Sequence, residues 1–217
     1  SWGTVQRTMM ALASGRETLS EILVESTEKG YIGYITDWAL AELCALHALA
    51  GDWDQAYGYV RQSLQSREDE SLLPVGLTGW HEIEALLRGG DNDLAQAEVA
   101  RLGKIVGNNK RYRLPMLRSQ AVIAQWHGAP DQALTHLQAA LELAQEIGLP
   151  GEEWSILSAL GTLYADQGDR ARAQQVWNDS AAIILRLAET IDEEEWRVGF
   201  LAADPVRFVL DKSKLEN

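Results

Sequence analysis

Alanine- and leucine-rich stretches recur along this chain, each closed by a glycine and a short polar turn and followed by a second stretch of the same character. The phrase reads Ala11-Leu-Ala-Ser-Gly15, then Ala48-Leu-Ala-Gly51-Asp-Trp-Asp-Gln-Ala56, then Leu86-Leu-Arg-Gly-Gly90-Asp-Asn-Asp-Leu-Ala95. It returns as Gln125-Trp-His-Gly128-Ala-Pro-Asp-Gln-Ala133 and as Ala165-Asp-Gln-Gly168-Asp-Arg-Ala-Arg-Ala173. The glycines at 15, 51, 90, 128 and 168 stand 36, 39, 38 and 40 residues apart. Repetition at such a period predicts an array of helix pairs, in which each pair buries its apolar face against the next. Each residue type has a physical reason. Glycine ends a helix because it takes a left-handed backbone without a Cβ clash. Asp52, Asp91 and Asp169 follow directly, where a carboxylate caps the next helix. Ala56, Ala95, Ala133 and Ala173 lie five residues after the glycine, where two helices of a hairpin approach closely and a small side chain is needed. Gly89 and Gly90 compete as the break in the third copy.

The expected pairs are 3–29, 31–66, 72–108, 112–147 and 151–190, followed by capping helices and a tail over 191–217. In the last part, the acids of Asp192-Glu-Glu-Glu-Trp196 suit a helix start. Asp204-Pro205 starts a further short helix, and the tail from Lys212 to Asn217 is expected to fray. The alternative is an irregular helical bundle whose glycines only end helices.

Around the fifth break, Leu160, Gly161 and Tyr164 precede Gly168, Ala173 and Trp177 at the spacing of the tetratricopeptide repeat, which this segment resembles. The other units are degenerate; Cys44, Ile83 and Ala121 stand where Gly161 does. The period exceeds the usual ~34 residues, and slightly longer helices with short linkers account for the excess. The resemblance, over residues 5–190, implies an all-α, right-handed α-solenoid of about five hairpins with C-terminal capping helices. The phrase Trp196-Arg-Val-Gly-Phe-Leu-Ala-Ala-Asp-Pro-Val-Arg-Phe-Val-Leu210 also resembles the close of the helical-repeat arm of large bacterial signalling ATPases, cyclases and kinases. That likeness implies an arm that senses or docks partners while another domain does the chemistry. A first residue that is Ser, not Met, fits an excised piece of a longer protein.

Composition narrows the function. Proline occurs only 5 times, whereas Ala, Leu, Glu and Gln, which lose little freedom in helices, are abundant. A net charge of −13 disfavours a general nucleic-acid role, because phosphates need the opposite sign. No stretch reaches the ~20 apolar residues of a membrane span. The lone Cys44 cannot form an internal disulfide, which suits a cytoplasmic location.

Chemistry-bearing motifs are not apparent. Gly103-Lys104 is followed by Ile105 and lacks the hydroxyl and spacing of a phosphate-binding loop. His81-Glu82 opens like a zinc helix, but Ala85 stands in place of the second histidine, and His47, His81, His127 and His136 form no i, i+4 pair. Asp91-Asn-Asp93 lacks the later glycine and glutamate of a calcium loop. Glu193 to Glu195 point different ways on a helix start. No cofactor, metal or enzymatic activity is therefore expected.

In tetratricopeptide-like stacks the first helix of each pair lines a concave groove. Counting back from each glycine assigns that face to Trp38 and Ala45, then to Trp80, Glu84 and Arg88, then to Arg118, Val122, Gln125 and Trp126, and finally to Ser158 and Thr162. Trp and Arg dominate many binding interfaces, although most of the 8 tryptophans are expected to fill spaces between helices. A second feature is charge. Residues 99–130 hold Arg101, Lys104, Lys110, Arg111, Arg113 and Arg118 and no acid, and Gly107-Asn-Asn-Lys-Arg-Tyr-Arg113 reads as a loop able to dock an acidic or phosphorylated partner. The expectation is a non-catalytic scaffold or sensor that binds a protein or peptide. A small-ligand sensor arm and a self-associating module are the alternatives.

Overall fold

The computed structural model describes residues 19–21, 23, 24, 33–65 and 79–214. Among these, residues 19–21, 23 and 24 are helical, ten further helices follow from Gly33 onward, and there is no strand, so the chain is all-α. The ten follow in the order α1 (Gly33–Leu49), α2 (Trp53–Gln65), α3 (His81–Arg88), α4 (Asn92–Val106), α5 (Lys110–Trp126), α6 (Pro130–Ile147), α7 (Pro150–Asp166), α8 (Arg170–Glu189), α9 (Glu194–Ala202) and α10 (Asp204–Ser213). The expected first pair lies outside the described residues except near Leu19 and Leu23, which are helical and pack against Ala39, Leu43 and Leu46 of α1.

Each break forms as the residue types require. Gly51, Gly90, Gly128 and Gly168 have φ of 76°, 91°, 70° and 80°. The next residue donates its backbone N–H five residues back: Asp52 to the His47 carbonyl, Asp91 to Leu86, Ala129 to Ala124 and Asp169 to Tyr164. This is the Schellman closure of a helix. The two glycines of the third break divide the work. Gly90 takes the left-handed turn, while Gly89 stays at φ −76° and makes room for Tyr57, whose ring would lie 2.3 Å from a methyl group there.

Two of the three expected aspartate caps form. Asp169 accepts from the Arg172 N–H at 3.1 Å, and Asp52 accepts from the Gln55 N–H at 3.4 Å. Asp91 caps nothing with its side chain. Its carboxylate instead accepts from the Tyr57 hydroxyl at 2.9 Å and from Arg61 at 3.3 Å, and so ties α2 to the start of α4.

The chain divides into two compact units, at Ala133–Leu134 inside α6. In the unit before the division, α3 touches α1, α2, α4 and α5, so the first helices of successive pairs are neighbours. One of its clusters joins Cys44 and Ala48 of α1, Ala56 and Val60 of α2, Ile83, Leu86 and Leu87 of α3, and Ala95 and Val99 of α4. Burying each large aliphatic side chain contributes roughly 1.5–3 kcal/mol. In the unit after it, α8 packs on α7, α9 and α10. Ser180 donates to the Trp154 carbonyl at 2.8 Å in the α7–α8 interior. Phe208 meets Trp177 edge-on at 6.3 Å. The end of α10 is held, contrary to the expected fraying from Lys212, because Gln174 donates to the Lys212 and Ser213 carbonyls.

The helix crossings are tight. Ala56, Ala95, Ala133 and Ala173 are all buried, as are Cys44, Ile83 and Ala121. Gly161 lies under Trp177, and a methyl group there would sit 2.3 Å from the indole nitrogen. Gly161→Ala is therefore expected to destabilise the chain by about 1–3 kcal/mol, despite alanine's better helix propensity. At Gly103 of α4 the same methyl would meet only Met116 Sδ, at an ordinary 3.7 Å. Gly103→Ala is expected to stabilise by about 0.5–1 kcal/mol. Urea midpoints of the two variants test both signs.

Candidate interaction surface

The residues expected to line one groove have different fates. Arg118 lies on the buried stripe of α5, with Leu114, Leu117, Ala121 and Ala124, and only 3% of it is exposed. Its guanidinium sits 4.8 Å from the centre of the Trp80 ring, and Trp80 stacks on His81 at 4.0 Å. Arg118 is thus a buried packing residue and not an exposed anchor. Trp38 likewise packs against the cluster of Leu19, Ala39, Leu43 and Leu46. Arg88 and Glu84 pair with each other at 2.7 Å, and Arg88 also covers Trp53 at 4.2 Å. Val122 packs on the cluster of Cys44, Ile83 and Leu86, and Ala45 is half-buried. Ser158 and Thr162 belong to α7 in the other unit, where Thr162 donates to the Ser158 carbonyl within the helix. Gln125 is exposed, and Trp126 is 46% exposed at the end of α5.

The face between α3 and α5 is therefore occupied by buried polar groups: His81 and Glu82 of α3 and Arg118 of α5, with Glu82 acting on the Cys44 thiol of α1. Glu42 is buried on α1. Burial pushes the Glu42 carboxyl up from 4.5 to about 7. Burial and the Arg118 charge push the His81 imidazole down from 6.5 to about 3. The His81 Nε2 atom is buried with no hydrogen-bond partner among the described residues. Burial, reinforced by Glu82, raises the Cys44 thiol above its ordinary value, which makes this cysteine inert rather than nucleophilic.

The basic segment is not a loop. Helix α5 begins at Lys110, with the Asn109 side chain accepting from the Arg111 N–H at 3.1 Å. Lys110, Arg111 and Arg113 thus occupy the first turn of a helix that has no acid in that turn. Cations at the positive end of a helix cost about 0.3–1 kcal/mol each. Pro115, inside α5, has no N–H to donate one turn back and further weakens this turn. The preceding helix brings Lys104 and Ile105 to the same end of the hairpin, where Leu102 and Val106 close over Met116. Lys104, Lys110, Arg111 and Arg113 are exposed, and with them Ile105 at 48% and Tyr112 at 43%. Arg101 is set apart by its pairing with the buried Glu98 at 3.2 Å.

Sequence reasoning named the cations but passed over Ile105 and Tyr112. Helical periodicity held the signal, since Ala95, Val99, Leu102 and Val106 mark the buried stripe of α4 and Ile105 falls off it. The same test places Arg118 inside. Among the described residues no group of three or more His, Cys, Asp or Glu could hold a metal ion, and no helix is long and apolar enough to cross a membrane.

The buried cluster sets a pH dependence of stability. Once unfolded, His81 takes up a proton near pH 6.5, which the folded chain resists down to about 3. Its contribution is thus present above pH 6.5 and lost as pH falls from there towards 3. Glu42 acts in reverse, because its folded value is raised: its contribution is present below 4.5 and lost as pH rises to about 7. Glu42→Gln is expected to gain stability relative to the unaltered chain between pH 4.5 and 7, by an amount on the order of a few kcal/mol. Melting temperatures of both chains measured from pH 4 to 8 check this. Parallel curves would rule out a buried, protonated Glu42.

The chain matches no protein-family profile and no curated protein sequence. Its fold is similar to that of BtubC (BKLC) from P. vanneervenii, whose crystal structure aligns with a TM-score of 0.56 at 21% identity, over 94% of this chain and 87% of that one. At that identity the likeness concerns the fold alone.

Proposed function

We propose that the chain is a non-catalytic protein-interaction module, a scaffold or sensor that captures a peptide or partner protein on its helical hairpins. The observation that carries this reading is the gathering of exposed cationic, aromatic and apolar side chains on one hairpin, α4–α5, in a chain that is otherwise acidic. Isolated exposed apolar residues need no explanation, but Ile105 and Tyr112 set among four cations form a mixed surface of the kind interfaces use. The face expected to form a groove is partly spent on packing, through Trp38, Trp80 and Arg118. Gln125 and Trp126 remain as exposed candidates at the far end of α5. The tetratricopeptide-like spacing and the C-terminal phrase support a place in a larger bacterial signalling or transcription regulator, working in the cytoplasm without a resident cofactor.

The test is direct binding. The immobilised full chain is expected to retain specific proteins from a bacterial lysate. Purified, these should bind with saturable stoichiometry, and Tyr112→Ala with Trp126→Ala should weaken them by at least about tenfold, on the scale of hot-spot aromatics. Circular dichroism of the variant confirms that it folds. A chain that retains no protein at low salt, or a variant that binds undiminished, counts against the reading and against these two side chains respectively.

A further inference from the structure

We infer that the end of the α4–α5 hairpin docks a short acidic peptide segment carrying a bulky apolar residue, supplied by a partner protein. This rests on the protein-interaction reading above and names the chemistry of its partner. Three observations support it. The segment 99–130 holds six cations and no acid, within a chain of net charge −13. Charge complementarity therefore directs an acidic segment to this place, while the rest of the surface repels it. Lys104 and Arg113, one from each helix, are exposed on either side of the Gly107–Asn109 turn. Lys110 and Arg111 make other interactions within the chain, and their charges add to the local field. Finally, Ile105 and Tyr112 are about half exposed among these cations. An apolar side chain offers nothing to a phosphate backbone, so the mixture fits a peptide better than a nucleic acid. The acidic remainder also opposes any long polyanion that runs beyond the patch.

The size of the patch sets the length of the ligand. Packed helices lie about 8–10 Å apart. An extended peptide covers about 3.3 Å per residue, so about three residues bridge the two helix axes and a segment of four or five residues reaches past both. Such a segment places carboxylates against Lys104 and Arg113 and one apolar side chain against Ile105 and Tyr112.

The experiment is selection from a random 12-residue peptide display library on the full chain at 50 mM salt, followed by fluorescence anisotropy with the selected synthetic peptides. The expected peptides carry three or more Asp or Glu beside a Leu, Ile or Phe. Their affinity should fall about tenfold in the Lys104→Glu, Arg113→Glu variant, about fivefold in the Ile105→Ser, Tyr112→Ser variant, and about tenfold between 50 and 300 mM salt. All four substitutions are at exposed positions, and circular dichroism checks each fold. Neutral or basic selected peptides, or acidic ones that bind both variants undiminished, overturn the inference while leaving a protein-binding module standing. A chain that selects no peptide and captures no protein overturns both. A 12-residue oligothymidylate that outcompetes every selected peptide also overturns it, in favour of nucleic acid.

Discussion

Two helices joined by a three-residue turn can pack closely only where one of them carries almost no side chain. The described breaks carry small residues at one register. Ala56, Ala95, Ala133 and Ala173 are buried five residues after the glycine of the break, and Cys44, Ile83, Ala121 and Gly161 are buried seven residues before it. The last is the tightest, since Trp177 lies on the bare backbone of Gly161. Interiors packed at crystal-like density do not forgive an added methyl at such a crossing. The crossing in turn fixes which side of each helix is left for its neighbours. From it follow the contacts of α3 with α1, α2, α4 and α5, and the course of α8 between α7 and α10.

The buried polar cluster depends on that frame. His81, Glu82 and Arg118 lie where α3 meets α5, Glu42 lies inside α1, and each is a costly residue to bury. Arg118 over Trp80, with Trp80 stacked on His81, links α5 to α3 through a cation and two aromatic rings. Such a link is more directional than aliphatic contact. It sets the register of one pair on the next, while the aliphatic clusters supply most of the stabilisation. The lowered imidazole and the raised carboxyl are consequences of the same burial.

Much of this fold was legible in the residues because glycine, alanine and aspartate report local geometry. Helices α4 to α8 run to 15–20 residues and are joined by turns of two or three, whereas α2 has 13 and α3 has 8. What the residues did not report was side-chain partnership across pairs. Asp91 reads as a cap, yet Tyr57 and Arg61 reach its carboxylate from 34 and 30 residues away. Arg118 reads as an anchor because arginine is usually exposed, and only its position on the buried stripe of α5 told otherwise. The basic segment reads as a loop because Gly107-Asn-Asn ends one helix, but Asn109 starts the next at once.

That last difference separates fold from binding. A helix start favours acids, and α7 and α9 show the preference, with Glu152 and Glu153 in one first turn and Glu194 and Glu195 in the other. Helix α5 does the opposite, with Lys110, Arg111 and Arg113 at its positive end and Pro115 just beyond. The buried residues of α5 begin at Leu114, and Lys110 and Arg111 interact elsewhere within the chain. Helix α8 also opens on cations, Arg170 and Arg172, but there the Asp169 carboxylate pairs with Arg172 at 2.9 Å and accepts from its N–H. At α5 the cap is the neutral Asn109, so the cations and the helix end repel one another with no acid at the cap to offset them, and an anion bound at this end would lower that cost.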